Sequence, residues 1–349
     1  MSTPWRFPDY DAHEVLHFVS DPASGLCAII AIHSTHLGPA AGGARFWHYA
    51  DDEEALTDAL RLSRGMSYKN AMAGLPLGGG KSVILADEAG TKSPEMLAAF
   101  GRAINGICGR YVTAEDVGMS VKDMIEVARQ TQYVAGLPAK GGEVGGDPGP
   151  HTSLGVFLGL KAAVRHKLGK DSVAGLHIAF QGAGSVATGV ALHAAAEGAK
   201  LSIADIDAAK AKKLADATGG KVVGTDDILG LEADVLSPNA LGGIFDETSI
   251  AALQVPIIAG GANNQLDTPA DGALLHARGI LYAPDYVINA GGIINVCTEY
   301  LDDGDESLVR TRVEGIPTRL EHIWAESESS GADPAAVADA MAQRLIGRG

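Results

Sequence analysis

The spacing of hydrophobic and polar residues changes several times along the chain, and each change predicts a structural element. Two apolar runs, residues 14–19 and 26–32, flank a turn-rich segment and predict a β-hairpin. From Asp51 to Ala71 apolar residues recur at helical spacing on one face, which predicts an amphipathic helix. Further elements are expected in this order: a strand at 82–86, a helix opened by Ser93 and Pro94, a strand at 111–113 and a helix near 121–130.

The second half of the chain alternates between helix and strand patterns. A helix over 152–168 is followed by strands near 177–181, 200–204, 221–223, 233–236, 256–259 and 280–282, with helices near 185–197 and 208–217. Such alternation is typical of a parallel sheet with helices on both faces. From about residue 317 the pattern is helical, and we expect these C-terminal helices to pack back on the first domain.

Glycine and proline interrupt the pattern most strongly between Lys140 and Pro150. We place a hinge there and expect an α/β protein of two domains, 1–145 and 146–316. A length of 349 residues is enough for two domains, each with its own core.

Composition narrows the function. The formal net charge of -16 disfavours nucleic acid and anionic membranes as partners. The 3 cysteines are widely separated and lack metal-ligand spacing, so we expect free thiols, a cytoplasmic location and no metal site. Neither a signal peptide nor a membrane-spanning run is expected. Glycine is in excess, because it makes up 45 of the 349 residues, whereas glycine is roughly 7% of a typical chain.

One glycine motif has the context of a dinucleotide site. The run Gly182-Ala183-Gly184-Ser185-Val186-Ala187 lies between a predicted strand and a predicted helix. Asp205 ends the next predicted strand, where an acid would bind the ribose hydroxyls of NAD and repel the 2′-phosphate of NADP. The sequence therefore predicts NAD as cofactor. The alternative is that the glycines only form a turn and that Asp205 only caps a helix.

A second glycine cluster, Gly78 to Gly80, leads into Lys81 and Ser82. Its end resembles a Walker A loop, but Leu75 replaces the first glycine and a strand pattern follows, which excludes that motif. Two lysines at one desolvated site, Lys69 and Lys81, would lower each other's pKa and provide a base and a carboxylate-binding cation. Asp116, just after a predicted strand, could relay protons. The alternative is that all three are solvated surface charges.

Seven ordered motifs together resemble the glutamate/leucine/phenylalanine/valine dehydrogenase family over almost the whole chain. They are Leu37 to Arg45 (LGPAAGGAR), Met66 to Asn70 (MSYKN), Pro76 to Ser82 (PLGGGKS), Thr113 to Gly118 (TAEDVG), Gly182 to Ala187 (GAGSVA), Gly261 to Asn264 (GANN) and Asn289 to Gly292 (NAGG). The resemblance implies a substrate domain that also mediates oligomerisation, a doubly wound Rossmann NAD domain and a catalytic cleft between them. It also implies reversible oxidative deamination of an L-amino acid to a 2-oxo acid and ammonia, by a homo-oligomer.

The same resemblance assigns roles to individual residues. Lys81 is similar to the catalytic lysine, Lys69 to the lysine that binds the substrate carboxylate, and Asp116 to the proton relay. Asn263 is expected to help hold the carboxylate, and Gly42 and Gly43 to pass close to the substrate. The expected cofactor-binding residues are Thr152, Gly182, Ala183, Gly184, Ser185, Val186, Ala187, Asp205, Asn239 and Asn289.

The expected substrate side chain is apolar. Glutamate-specific relatives carry a lysine where this chain has Ala41, and an acidic substrate would lack that cation. By the same alignment Ala114, Ile293 and Val296 complete an apolar pocket. We expect a branched-chain or broad apolar specificity, with phenylalanine as the alternative because Ala41 enlarges the pocket. A non-catalytic sensor of NAD or amino acids is the rival from another class.

Overall fold

A computed structural model describes residues 3–138, 148–301 and 306–349. Contacts divide the chain into two units. The first unit contains Met1–Gly146, Asn295–Leu308 and Ala342–Gly349, and the second contains Asp147–Ile294 and Val309–Met341. Most of the predicted hinge, residues 140–147, lies outside the described residues, whereas Gly149 and Pro150 belong to the first turn of a helix.

The first unit is built on a mixed five-stranded sheet. After a short 3-10 helix (Pro4–Arg6) its elements are β1 (Val15–Asp21), β2 (Leu26–Ser34), β3 (Ala40–Trp47), α1 (Asp52–Met72), β4 (Gly78–Leu85), α2 (Pro94–Gly106), β5 (Tyr111–Glu115) and α3 (Val121–Ala128). The strand order is β1-β2-β4-β3-β5. β1, β2 and β4 pair antiparallel, and β3 pairs parallel with β4 and β5. The predicted hairpin is confirmed, whereas strand β3, rich in small residues, was not predicted.

Helix α1 covers one face of this sheet. Asp51 caps it by accepting a hydrogen bond from the Glu54 amide at 2.8 Å. Its alanines pack with strand residues in a buried cluster, and α2 and α3 cover the opposite face. The buried residues of the α1 face are Ile29, Ala31, Ala55, Leu56, Ala59, Leu60 and Val83.

The glycine cluster lies inside β4, not in a turn before it. The strand begins at Gly78, four residues earlier than predicted, because the glycine backbone pairs with both β2 and β3. A β-carbon at Gly79 would lie 2.0 Å from the Ser67 backbone nitrogen of α1, and one at Gly80 would lie 2.7 Å from the Tyr111 ring. These glycines therefore allow a helix and an aromatic ring to pack directly on the strand.

The second unit is built on a six-stranded parallel sheet. Its elements, with the helices that continue to the C-terminus, are α4 (Gly149–Leu168), β6 (His177–Gln181), α5 (Ser185–Ala196), β7 (Lys200–Ala204), α6 (Ala208–Thr218), β8 (Lys221–Val222), β9 (Val235–Pro238), α7 (Glu247–Ala252), β10 (Ile257–Ile258), α8 (Pro269–Ala277), β11 (Leu281–Tyr282), α9 (Asp285–Ile288), α10 (Gly291–Tyr300), α11 (Glu306–Glu314), α12 (Ile316–Ser330) and α13 (Pro334–Leu345). The order is β11-β10-β9-β6-β7-β8, and every pair is parallel. The predicted parallel sheet is confirmed.

The C-terminal helices are divided between the units, which corrects the expectation that they pack on the first domain. Helix α12 packs on α4 and α9 of the second unit. The indole of Trp324 is buried there and donates to the Tyr282 carbonyl at 3.0 Å. The large apolar face of α12 needs this cover. Only Ala342–Gly349, with the end of α13, joins the first unit.

The C-terminal tail of the first unit surrounds two buried histidines. The Arg348 guanidinium donates to the carbonyls of Asp11 and His33 at 2.5 and 2.6 Å. Burial, together with the nearby Arg348 cation, lowers the pKa of His33 to about 4. Burial also lowers the pKa of His13 to about 4, although a hydrogen bond to the Leu60 carbonyl opposes the change. Both rings are therefore neutral in the folded protein near pH 7.

The crowding at Gly79 predicts a loss of stability. We expect Gly79→Ala to lower the free energy of unfolding by at least about 1–3 kcal/mol, because the Ser67 backbone cannot move away without displacing α1. Gly65→Ala is the matched control. Gly65 lies in α1, nothing lies within 4 Å of the added carbon, and the substitution should raise the free energy of unfolding by up to about 1 kcal/mol. Urea denaturation measures both, and equal midpoints for the two variants would contradict the packing argument.

The buried histidines predict acid sensitivity. Because their pKa is lowered on folding, the unfolded chain binds more protons than the folded chain between pH 6.5 and about 4. Stability should be complete above about pH 6.5 and should fall as the pH drops towards 4. His13→Gln should flatten this slope, and His48→Gln, on the surface, should leave it unaltered. Denaturation midpoints measured at several pH values test this, and an unchanged slope in His13→Gln would refute it.

Candidate functional site

A lysine from the middle of β4 and a carboxylate from the turn after β5 meet in the first unit. Strand β4 places Lys81, and the turn after β5 places Asp116, with 2.8 Å between Lys81 Nζ and Asp116 Oδ2. Lys81 is 5% exposed. The structure thus brings together two of the predicted site residues in a buried ion pair.

Arg45 on β3 extends this pair into a network that the sequence analysis missed. Arg45 Nε donates to Asp116 Oδ2 at 3.0 Å, and its Nη1 donates to Asp58 Oδ2 at 2.9 Å. The Tyr49 hydroxyl donates to the same Asp58 oxygen at 2.6 Å. Arg45 is the last residue of the motif LGPAAGGAR. Asp58 is a charged residue on the apolar face of α1, and this was the signal in the sequence that could have indicated a buried polar network.

Burial has opposite effects on the pKa of Lys81 and on the pKa of Asp116. Burial lowers the pKa of Lys81, and Asp116 opposes this only in part. Burial alone would raise the pKa of Asp116, but Lys81 and Arg45 outweigh it and hold that pKa below its usual value. Asp116 has two cationic partners, whereas Lys81 is almost completely enclosed by other residues. The site combines an ionised carboxylate with an amine that loses its proton more easily than in water.

Strands β3 and β5 form the wall beside this pair. Gly43 pairs with Ala114, and a β-carbon on Gly43 would lie 2.8 Å from the Asp116 β-carbon. Any side chain at Gly43 would therefore displace Asp116. A β-carbon on Gly42 would lie 1.8 Å from the Gly80 carbonyl oxygen, so the sheet itself requires that glycine. Ala41, which pairs with Gly79, is buried.

The end of α1 is tied to two strands by a buried amide. Asn70 Nδ2 donates to the Gly78 carbonyl at 2.6 Å and to the Ala41 carbonyl at 3.4 Å. The preceding residue, Lys69, is half-buried in the last turn of the helix. Asn70 therefore fixes the backbone that carries the predicted carboxylate-binding lysine.

The predicted dinucleotide turn of the second unit has the geometry that a phosphate needs. Gly182 has φ +97°, which favours glycine, and helix α5 begins directly after Gly184. No described atom lies within 4 Å of a β-carbon built on Gly184, and no described side chain caps the helix. Its first amides can therefore bind an anion. Asp205 accepts hydrogen bonds from the amides of Ala183 at 2.7 Å and Asp207 at 2.8 Å, which fixes it beside the turn.

Several predicted residues meet around Gly261. Asn239 Oδ1 accepts from the Gly261 amide at 2.9 Å, and the Val186 side chain would lie 2.9 Å from a β-carbon there. Asn289 Nδ2 donates to Asn263 Oδ1 at 2.8 Å. Asn263, expected to bind substrate, thus shares a cluster with expected cofactor residues.

The Asn289 amide leaves an acceptor available. Its Oδ1 is buried and accepts no hydrogen bond within the described part of the chain. Such an orphaned acceptor fits the amide N–H of a nicotinamide carboxamide. Nearby in the unit, the Thr152 hydroxyl donates to the Pro148 carbonyl at 3.0 Å, and a β-carbon at Gly292 would lie 2.8 Å from that hydroxyl oxygen.

The remaining expected site residues and partners are placed as follows. Ile293 and Val296 are half-buried and lie three residues apart on α10, so they share a helix face. Across residues 3–138, 148–301 and 306–349, no cluster of His, Cys, Asp or Glu could hold a metal ion. No helix of that described part is long and apolar enough to cross a membrane.

Comparison with known proteins gives full-length matches. The family profile described as "Glu/Leu/Phe/Val dehydrogenase, dimerisation domain" matches residues 13–133, and "Glutamate/Leucine/Phenylalanine/Valine dehydrogenase" matches residues 202–343. A leucine dehydrogenase from Geobacillus stearothermophilus is 47% identical over 337 residues, 97% of this chain and 91% of that protein. A valine dehydrogenase from Streptomyces albus is 42% identical over 342 residues, 97% and 93% of the two chains.

A solved structure shares the fold. The crystal structure of L-tryptophan dehydrogenase from Nostoc punctiforme matches with a TM-score of 0.86 and 39% identity, covering 96% of each chain. The predicted α/β fold class is therefore confirmed.

Proposed function

Because this chain belongs to the glutamate/leucine/phenylalanine/valine dehydrogenase family, we propose that it catalyses reversible NAD-dependent oxidative deamination of an apolar L-amino acid, giving a 2-oxo acid and ammonia. The predicted family and enzyme class are confirmed, since its relatives are amino-acid dehydrogenases. The buried pair of Lys81 and Asp116 carries the proposal, because it offers a proton acceptor beside a charged relay. That pair also disfavours the non-catalytic sensor.

The side chains of the first unit perform the acid–base steps. Lys69 binds the substrate α-carboxylate as a cation. Bound NAD would supply a hydride acceptor for the α-carbon of the substrate. Lys81, in its neutral form, takes a proton from the water that adds to the resulting iminium carbon, and Asp116 passes protons as ammonia leaves. Burial favours the neutral amine, which is the form a base needs.

Membership of a dehydrogenase family supports a nicotinamide dinucleotide as cofactor, and we propose NAD over NADP. The carboxylate of Asp205 lies beside the glycine turn, where it can accept hydrogen bonds from ribose hydroxyls and repel a 2′-phosphate. The following residues are Ile206, which is 95% exposed, and Asp207, so the sequence offers no arginine there. The Gly182–Ala187 turn would hold the phosphates. Thr152, Asn239 and Asn289 would orient the nicotinamide.

The pocket residues support a branched-chain substrate. Ala41, Ala114, Ile293 and Val296 are all apolar, which gives an acidic side chain no counter-charge. Identities of 42–47% to leucine and valine dehydrogenases support leucine or valine. Phenylalanine remains the second candidate, because the small side chain of Ala41 leaves room for a ring. Apolar pockets discriminate by only about 1–3 kcal/mol per methylene, so several substrates are expected to react.

We also propose a cytoplasmic homo-oligomer whose partners are small molecules. The matching profile of the first unit is described as a dimerisation domain, which supports self-association. The thiols of Cys27 and Cys108 are free and exposed, as suits a reducing compartment. The charge of -16 argues against nucleic acid as a partner.

The proposed reaction predicts a defined outcome for Lys81→Ala. With NAD and a panel of L-amino acids, the wild-type chain should produce NADH fastest with leucine or valine. Lys81→Ala should lower kcat at least about 100-fold, because its general base is lost, while NADH binding persists. Spectrophotometric turnover and fluorescence titration of NADH measure the two properties.

Lys212→Ala is the control, since that side chain is 72% exposed on the second unit. Its turnover should match the wild type. A wild-type chain that oxidises none of the amino acids would refute the proposed function, and full activity in Lys81→Ala would refute the role of that lysine.

Substitutions at Gly184, directly before α5, and at Gly189, within α5, should separate cofactor binding from stability. Gly184→Ala adds a carbon into open space at the turn, so NADH affinity should fall at least about tenfold with little change in unfolding free energy. Gly189→Ala places its carbon 2.3 Å from the Ser153 hydroxyl oxygen and should destabilise the unit instead. Fluorescence titration and thermal denaturation measure the two effects. Wild-type binding of NADPH as tight as that of NADH would contradict the choice of NAD.

A further inference from the structure

We propose that Arg45 is a positioning residue for the deamination chemistry, which orients Asp116 and makes the proton of Lys81 easier to release, with Asp58 holding Arg45 in place. The inference rests on the proposed function for its chemical meaning. It goes beyond the predicted site residues, none of which was Arg45, Asp58 or Tyr49.

The geometry gives Arg45 a task that another cation could not perform equally. A single oxygen, Asp116 Oδ2, contacts Lys81 Nζ at 2.8 Å and Arg45 Nε at 3.0 Å. A different nitrogen of the same guanidinium donates to Asp58 Oδ2 at 2.9 Å. The rigid planar fork of arginine can bridge two carboxylates with fixed geometry, whereas a lysine ammonium acts as a point charge. Asp116 is thereby held from β3.

Asp58 gives the bridge a fixed end. Its side chain is 11% exposed and projects from α1, which is packed on the sheet. The hydroxyl of Tyr49 donates to Asp58 Oδ2 at 2.6 Å, the same oxygen that accepts from Arg45. Arg61 lies farther away, at 3.9 Å from the other oxygen. Arg45 is therefore anchored to a helix and a strand before substrate arrives.

Charges determine the consequence for Lys81. Burial lowers its pKa most, Asp116 opposes that change, Arg45 adds to it, and Asp58 opposes it. The titratable groups that the elements around β4 place on the α1 side of the sheet include Arg45 of β3, Asp58, Tyr68 and Lys69 of α1, His33 of β2, and Asp116; Tyr111 of β5 lies on the other face. Because burial lowers the pKa of His33 to about 4, that ring stays neutral where Lys81 titrates.

The network has a signature that mere structural support would lack. Removing the Arg45 cation leaves two poorly exposed carboxylates near Lys81, which favours its charged form. Removing the Asp58 charge leaves Arg45 less compensated, which favours the neutral amine. The two substitutions should therefore displace the titration of Lys81 in opposite directions, although both alter the contact between Arg45 and residue 58.

The pH dependence of kcat/KM tests this. In the wild type the rate should rise with pH as Lys81 loses its proton. We expect Arg45→Met to move this rising limb upward by about 1 pH unit, and Asp58→Asn to move it downward. Arg45→Lys retains the charge but not the bridge, so its limb should stay near the wild-type position while kcat falls. Arg129→Met removes an exposed arginine and should leave profile and kcat unchanged.

A direct titration of Lys81 provides the second readout. In protein labelled with 13Cε-lysine, NMR follows the Lys81 signal, assigned by its loss in Lys81→Met, and it needs no turnover. Opposite displacements in Arg45→Met and Asp58→Asn support the proposal. Displacements of equal sign, or lost activity with an unmoved titration, overturn it. If the wild-type chain deaminates no amino acid, the proposed function fails, whereas the NMR titrations still decide the role of Arg45.

Discussion

The structure of the first unit depends on the energetically unfavourable burial of the Lys81 amine within a sheet. A lone buried ammonium is unfavourable by several kcal/mol, so it must be paired or neutral. Asp116 pairs with the Lys81 ammonium and stabilises its charge, and Arg45, which contacts the same carboxylate oxygen, weakens that stabilisation. The result is an amine that releases its proton more easily than a solvated lysine does, which is a property that proton transfer needs.

That balance explains why small residues surround the site. Gly43 leaves room for Asp116, and Gly79 lets α1 approach β4 closely enough for Asp58 to reach Arg45. The glycine excess is thus partly a packing requirement of the sheet and not only a space for substrate. In the second unit Gly182 and Gly184 act differently, since the first adopts a positive φ and the second borders open space.

Periodicity predicted most elements of the fold, because helices such as α1 and strands such as β6 have clear caps or apolar runs. It missed β3, since Ala40 to Ala44 are small residues with little strand preference, and their pairing is decided by neighbours distant in sequence. Lys81 and Asp116 were found by motif, and the structure places Lys81 Nζ 2.8 Å from Asp116 Oδ2. Arg45 was not found, because its partner Asp116 lies 71 residues away, and Asp58 was not found, because its role comes from contacting Arg45 on a different element.

The proposed substrate specificity and the proposed chemistry depend on different residues of the first unit. Ala41 is buried on β3, and its carbonyl accepts a hydrogen bond from Asn70 of α1. Lys69 directly precedes Asn70, so the small Ala41 side chain can leave a larger apolar pocket without moving Lys69. Under the proposed function, a different side chain at position 41 would therefore change the size of the substrate pocket without moving Lys69, Lys81 or Asp116. In that proposal, the shape of the pocket selects the amino acid and the buried charges select the reaction.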